Sequence, residues 1–485
     1  MIVVNSQQAR ELDHQSEQCG VSTAQLMENA GKCVAEALMR RIHHKEGPVA
    51  VFVGKGNNGG DALVAANALA LKKFQILLIQ NENDFHSKKK ELEQTSWILD
   101  GLLGTGLKGE VKGWMREAIE WINASGKKVL SIDIPSGLSA DKGIPLGVAV
   151  RATVTVALGF VKLGSVLSPG LEFSGAVECA DIGIPKDAKV SLPYHLLEPL
   201  YFKKNIKPRS NESHKKDFGH VVVIAGSEKM PGSGFLSSMG ALRTGAGLVT
   251  YVVPKTGFEK FDPQYAEVML APVPAEQEGC FGQESVEAVL KLCENRQAVV
   301  LGPGLGQSSQ TKAFVKALLP RLKIPVVLDA DGLNAIALDT ALLKERPAPT
   351  VLTPHPGEMA SLLGWATDEI QKARVQVALD AAFLWQCAVV LKGFRSLIAT
   401  PDGRLFVNPT GNPGMATAGM GDVLSGMIAG LIAQGWSADA ASMGGVYLHG
   451  LAGDMAREEM GEKGLIASDV LGYVPKAIRL VEGLS

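Results

Sequence analysis

A chain of 485 residues is too long for one ordinary hydrophobic core, so two or more domains are expected. Its 46% hydrophobic and 20% charged content excludes a disordered or fibrous chain, and a net charge of −2 excludes a global basic field for nucleic acid or anionic membrane. Six scattered cysteines without a C-x-x-C pair argue against a disulfide framework or zinc site, and no apolar run approaches the ~20 residues of a membrane span.

The opening MIVVNSQQARELDHQ has neither a charged start with an apolar stretch nor the Arg/Ser-rich look of a transit peptide, so the expected compartment is the cytoplasm. His43–His44 has no ligand partner at metal spacing and is read as surface. Short Val/Ile/Leu runs then alternate with glycine-rich loops and helix-like segments. In the first half the runs are 49–53, 75–79, 96–99, 128–132 and 153–158. In the second they are 220–225, 248–253, 298–301, 325–328, 350–352 and 388–392. Continuous apolar strands between helices predict α/β architecture, with mostly parallel sheets covered on both faces. Ligands in such folds bind at the loops that follow the strands. The charged stretch YFKKNIKPRSNESHKKD (201–217) reads as a linker, giving domains over 1–205 and 211–485.

In the first domain, VFVGKGNNGGDA (51–62) satisfies G-x-G-x-x-G through Gly54, Gly56 and Gly59. Asp61, expected where the next helix begins, would compete with a phosphate for that helix's N–H groups. Asn57 and Asn58 supply carbonyl oxygens at a sharp turn, which suits a cation beside a polar ligand better than a bare pyrophosphate. WILDGLLGTGLKG (97–109) brings Asp100 to a strand end, followed by a loop with free amides, and LSIDIPSGL (130–138) brings Asp133. These strings, with TVALGFVKLG (155–164) and ADIGIP (180–185), resemble in order the NAD(P)H-hydrate epimerase family over nearly all of 1–205.

The resemblance implies a Rossmann-like three-layer domain. It implies that Asn57, Asn58, Gly59, Gly60 and Asp61, with Gly104, Thr105, Gly106, Leu107, Lys108, Gly109 and Glu110, hold a hydrated nicotinamide nucleotide. Asn58, Asp100 and Ser136 would bind K⁺, Asp133 would act as acid/base, and Lys162 would be its polar partner. Inverting a carbon that bears OH beside a ring nitrogen requires opening that centre and closing it from the other face, and a carboxylate and an ammonium, Asp133 and Lys162, can exchange protons with the departing and returning water as the catalytic pair. Two departures stand out: Ala62 replaces the usual Gly, and the stretch before Asp100 is short, which predicts a missing strand or helix at a sheet edge.

The second domain offers HVVVIAGSEKMPGSGFLSSMGALRTGAG (220–247), VLGPGLG (300–306), VLDADGLN (327–334) and VLTPHPGE (351–358). It then gives KGFRS (392–396) and NPTGNPGMATAGMGDVLSGMIAG (408–430). Gly419, Gly421 and the following helix form a loop whose amides can hold an anion, while Asp422 can deprotonate a hydroxyl that attacks phosphate. The series resembles the NAD(P)H-hydrate dehydratase family, a ribokinase-like branch, over roughly 211–480. That implies substrate contacts at Ser233, Gly304, His355 and Asp422. Lys392, Gly393, Phe394, Arg395, Ser396 and Gly421 would hold ADP or ATP, with Mg²⁺ neutralising charge. Ser233 and Met420 stand where the family usually has Ala and Thr.

Together the resemblances imply repair of hydrated NADH and NADPH: epimer exchange in one domain, nucleotide-driven dehydration in the other. The expected partners are these small molecules, with neither nucleic acid nor membrane, and a homo-oligomer is expected. The rival reading is a small-molecule kinase acting on a vitamin-precursor alcohol, with an accessory first domain. ADP and ATP both remain open.

Overall fold

The structure is a computed structural model that describes residues 1–43, 46–255, 266–275 and 279–483, so His44 lies outside the described residues. The chain divides into two compact units, Met1–Tyr194 and His195–Ser485.

The first unit is built on six parallel strands, in the order Ile76–Ile79, Val49–Val53, Trp97–Gly101, Lys128–Ile132, Val154–Leu158 and Ala176–Ala180. Alternate strand residues point to opposite faces. Val49, Val51, Leu99 and Leu130 pack with the helices Thr23–Met39 and Asn57–Leu71. Ala50, Phe52, Ile98 and Val129 pack with Trp114–Ala124 on the other side. Three layers result, as the resemblance implies. A parallel pair, Val3–Val4 with Val161–Lys162, ties the N-terminus to the site.

Three expectations need correction. Asp61 does not begin its helix: Asn57–Leu71 starts one turn earlier, with Gly56 as its cap. The glycines allow this, because a Cβ on Gly59 would lie 1.9 Å from the Gly54 carbonyl oxygen of the preceding strand. Ala62 therefore sits inside a helix, where a methyl group is welcome. At the sheet edge, the segment between Ile79 and Trp97 forms two short helices, Glu82–Ser87 and Lys89–Glu93, which bury Phe85 and Leu92. Finally, the boundary lies at Tyr194/His195, not at 206–210. Leu197 and Phe202 are buried in the second unit's core, and Tyr194–Leu196 joins its sheet.

The second unit holds a ten-stranded sheet. Seven parallel strands run in the order Met269–Val273, Leu248–Pro254, His220–Ile224, Ala298–Leu301, Val326–Leu328, Thr350–Leu352 and Ala388–Leu391. Leu397–Ala399 and Leu405–Val407 extend it antiparallel, too short to stand out as apolar runs. The helices Gly232–Arg243 and Met420–Ala433 cross closely because glycines face backbone. A Cβ on Gly426 would lie 1.9 Å from the Ser237 carbonyl oxygen. Among the described residues no helix is long and apolar enough to cross a membrane.

Candidate functional site

In the first unit the registered neighbours Phe52, Asp100 and Ser131 carry three loops to one rim of the sheet. Asp100 is wholly buried. It accepts from Ser131 Oγ at 2.8 Å, Ser136 N at 2.9 Å and Ser136 Oγ at 2.5 Å. Burial pushes its pKa up, against these hydrogen bonds. No ion pair reaches it among the described residues. Asn58 Nδ2 donates to the Leu103 carbonyl at 3.1 Å, and that carbonyl also accepts from Ser136 Oγ at 3.1 Å. Asn58 Oδ1 is buried with no partner. A buried carboxylate and an orphaned amide oxygen beside a shared carbonyl suit a hard cation.

Beside this cage opens a cleft of about 580 Å³, lined by Asn57, Asn58, Asp61, Gly104–Lys108, Asp133 and Lys162. Gly109 and Glu110 follow on the same loop but do not line it. Gly59 and Gly60 pack the helix start, Gly59 against Gly54 and Gly60 against Met27, where added Cβ atoms would clash.

Asp133 follows its strand with φ of 67°, an uncommon conformation for a non-glycine residue. It is fixed there by Asp133 N donating to the Val156 carbonyl at 2.7 Å and Leu158 N donating to its carboxylate at 3.0 Å. Lys162 is 4% exposed; its ammonium pairs with the Asp133 carboxylate and donates to the Leu158 and Phe160 carbonyls at 3.0 and 2.9 Å. Asp61 is buried, and burial followed by the charges of Asp133 and Asp13 pushes its carboxyl up to about 7, against Lys162.

Asp13 escaped the sequence reading. It stands on the helix Ser6–Gln18, distant in sequence from every glycine loop, and enters the cleft because Val3–Val4 pairs with Val161–Lys162.

In the second unit the strand ends bring together Asp329, Glu358, Lys392 and Asp422. Lys392 Nζ donates to Asp329 at 2.8 Å and lies 3.7 Å from Glu358. Burial opposes the ammonium's charge, but Asp329 and Glu358 outweigh it and raise its pKa. Asp422 sits in the first turn of Met420–Ala433, and burial, then Asp329, raises its carboxyl to about 6, against a Ser233 hydrogen bond and Lys392.

A Cβ on Gly421 would come within 3.2 Å of Lys392 Nζ and 3.6 Å of Asp329 Oδ2, so a bare backbone faces the charges. Gly304, at φ of 66°, approaches Ser233 in the same way. His355 is exposed, and its Nδ1 accepts from Gly357 N and Glu358 N at 3.0 and 3.2 Å, capping the helix Pro356–Leu363. Gly393, Phe394, Arg395 and Ser396 form the turn after Lys392, which the buried Arg374 supports by donating to the Leu391 and Lys392 carbonyls. Met420 points into the hydrophobic core, so no polar group is lost from the loop's open side. Asp329 and Glu358 lay within motifs already singled out, one directly after a strand and one at a helix cap; position alone could have flagged them.

This geometry defines a class: a two-site α/β enzyme, with a Rossmann-like unit whose acidic cleft borders the buried Asp100 carboxylate and the unpartnered Asn58 oxygen, and a second unit whose charged strand ends suit phosphoryl transfer. Sequence comparison agrees. The NAD(P)H-hydrate dehydratase family matches residues 221–476. The family described as YjeF-related protein N-terminus matches in two overlapping stretches, 23–90 and 77–164. The chain is 37% identical to the bifunctional NAD(P)H-hydrate repair enzyme of Moorella thermoacetica, over 99% of this chain and 97% of that one. It is 34% identical to the same enzyme of Coxiella burnetii, over 98% of each. Among solved structures, the ADP/ATP-dependent NAD(P)H-hydrate dehydratase of Bacillus subtilis, co-crystallised with ATP/Mg²⁺, is 30% identical with a TM-score of 0.50. It covers 59% of this chain and 99% of its own. The chain belongs to the bifunctional NAD(P)H-hydrate repair enzyme family, with an epimerase domain followed by a ribokinase-like dehydratase domain.

Proposed function

We propose that the first unit's cleft interconverts the R and S hydrates of NAD(P)H, and that the Asp422 cluster dehydrates the S form with ADP or ATP. The observation that carries this reading is Asp422 itself: a carboxylate in a helix's first turn, held by Ser233, with Lys392 close by.

Hydroxide leaves poorly and phosphate leaves well. Asp422 takes the proton of the substrate hydroxyl as that oxygen attacks the terminal phosphorus, the bridging P–O bond breaks to release AMP from ADP or ADP from ATP, and the Lys392 ammonium meets the phosphate oxygens. The ring nitrogen's lone pair then expels phosphate, and loss of a proton from the neighbouring carbon restores the double bond. Gly304, Ser233 and His355 border the substrate, while Gly393–Ser396 and Gly421 border the nucleotide.

Mg²⁺ would be held by Asp329, whose Oδ2 is buried without a partner, and Glu358. It supplies charge neutralisation on the phosphates. In the first unit Asn58, Asp100 and Ser136 suit K⁺, which would offset the buried Asp100 charge and anchor the ligand loop.

Incubating the full chain with hydrated NADH and ADP or ATP tests the assignment. Return of NADH absorbance with stoichiometric inorganic phosphate is expected; a stable phosphate ester would instead make the second unit a kinase.

A further inference from the structure

Epimer exchange needs two proton-exchanging groups, because the hydroxyl leaves one face of the carbon and water returns to the other. Asp133 is one. Lys162 is the obvious second, yet its geometry removes it. An ammonium carries three N–H donors, and Lys162 spends them on Asp133, the Leu158 carbonyl and the Phe160 carbonyl. A side chain 4% exposed and bound by three acceptors is a fixed cation.

The cleft offers another carboxylate. Asp13 lines it, feels both Lys162 and Asp133 electrostatically, and makes no hydrogen bond or ion pair among the described residues. Asn58, with its orphaned buried oxygen, lines the same cleft and marks it as a ligand site.

We propose that Asp13 is the second proton-exchanging residue of the epimerase reaction, with Lys162 a fixed counter-ion for Asp133. The proposal rests on reading this cleft as the epimerase centre. One carboxylic acid protonates the departing hydroxyl as the C–O bond breaks, and the ring nitrogen's lone pair forms C=N. On the opposite face water adds to that carbon, the C–O bond re-forms, the C=N pair returns to nitrogen, and the other carboxylate accepts water's proton. The reverse direction exchanges the roles, so no net proton is consumed. The charged groups facing Asp13 are Lys162 and Asp133 at the strand ends and Asp61 from its helix. Arg10 on its own helix, with Lys55 and Lys108 on the loops, completes the lining. Asp13 is exposed at the cleft, where partial desolvation, then the Asp133 charge against Lys162, raises its carboxyl.

The test uses the full chain without nucleotide, following exchange of the separated R and S hydrates from pH 5 to 9. Asp13→Asn should lower kcat by about 10²-fold or more, leave KM within about threefold and erase one limb of the pH profile. Asp13→Glu should recover at least about tenfold of the loss and restore that limb. Urea unfolding of the first unit reports whether each variant is folded, and if Asp13→Asn is not, the Glu variant's rate and pH profile decide. Near-normal exchange by Asp13→Asn beside an inactive Asp133→Asn would overturn Asp13 and keep the cleft. Near-normal exchange by both would overturn the cleft reading and the proposal with it.

Discussion

Each unit sets one lysine at the carboxyl ends of its parallel strands, Lys162 buried and Lys392 half-buried, and the two are bonded in opposite ways. Lys162 meets three acceptors and has no donor left. Lys392 makes one hydrogen bond, to Asp329, with Glu358 at the edge of reach. Two of its N–H groups are available to phosphate oxygens, and Gly421 leaves the approach open. Residue type is the same in both places, while Lys392 is the more open of the two, 19% exposed against 4% for Lys162. The number of acceptors separates a counter-ion from a ligand-binding cation.

The comparison breaks most visibly at the base that works beside Lys392. Asp422→Asn should lower the dehydratase rate by about 10²–10⁴-fold and leave epimer exchange untouched, measured as NADH recovery and R/S interconversion. With its carboxyl raised to about 6, the unmodified enzyme's dehydratase rate should rise with pH through that value, since the base must be deprotonated. A rate flat from pH 5 to 8 would remove Asp422 from that role.

Much of this was legible before any coordinates. The runs at 49–53, 128–132, 298–301 and 350–352 are strands with those bounds, because unbroken β-branched and leucine stretches between glycine loops have few other uses. Asp133 follows one of them, Asp100 lies near the end of the strand Trp97–Gly101, and Asp422 lies in the first turn of the helix Met420–Ala433. What escaped was set by tertiary pairing. Asp13 reaches the cleft only through a two-residue strand pair, and Leu397–Ala399 with Leu405–Val407 are strands of only three residues each. Acceptor counts are invisible to sequence: nothing in TVALGFVKLG says that the carbonyls of Leu158 and Phe160 turn back onto Lys162.

Next in size is the effect of deleting the two ammoniums. Lys162→Met leaves Asp133 and its neighbouring carboxyls without a cation, which should destabilise the first unit by about 3–5 kcal/mol in urea unfolding. Lys392→Met should show itself foremost as a nucleotide KM raised about tenfold or more, the loss expected for a charged hydrogen bond. A nucleotide KM unchanged in Lys392→Met would erase the distinction between the two lysines.

The smallest effect sharpens the acidic side of the first cleft. Asp61 ionises near 3.8 when unhindered and at about 7 in the folded chain, with burial as the leading cause. Between those values the folded state binds more protons than the unfolded one, so the stability gained from the protonated carboxyl is complete below about pH 4 and lost as pH rises through 7. The loss should be on the order of 2–4 kcal/mol. Asp61→Asn keeps the shape and cannot ionise, so its urea midpoint should decline less between pH 4 and 8 than that of the unmodified chain. Equal slopes would mean that Asp61 is charged throughout. The Lys162 charge would then have to outweigh burial and the neighbouring charges of Asp133 and Asp13.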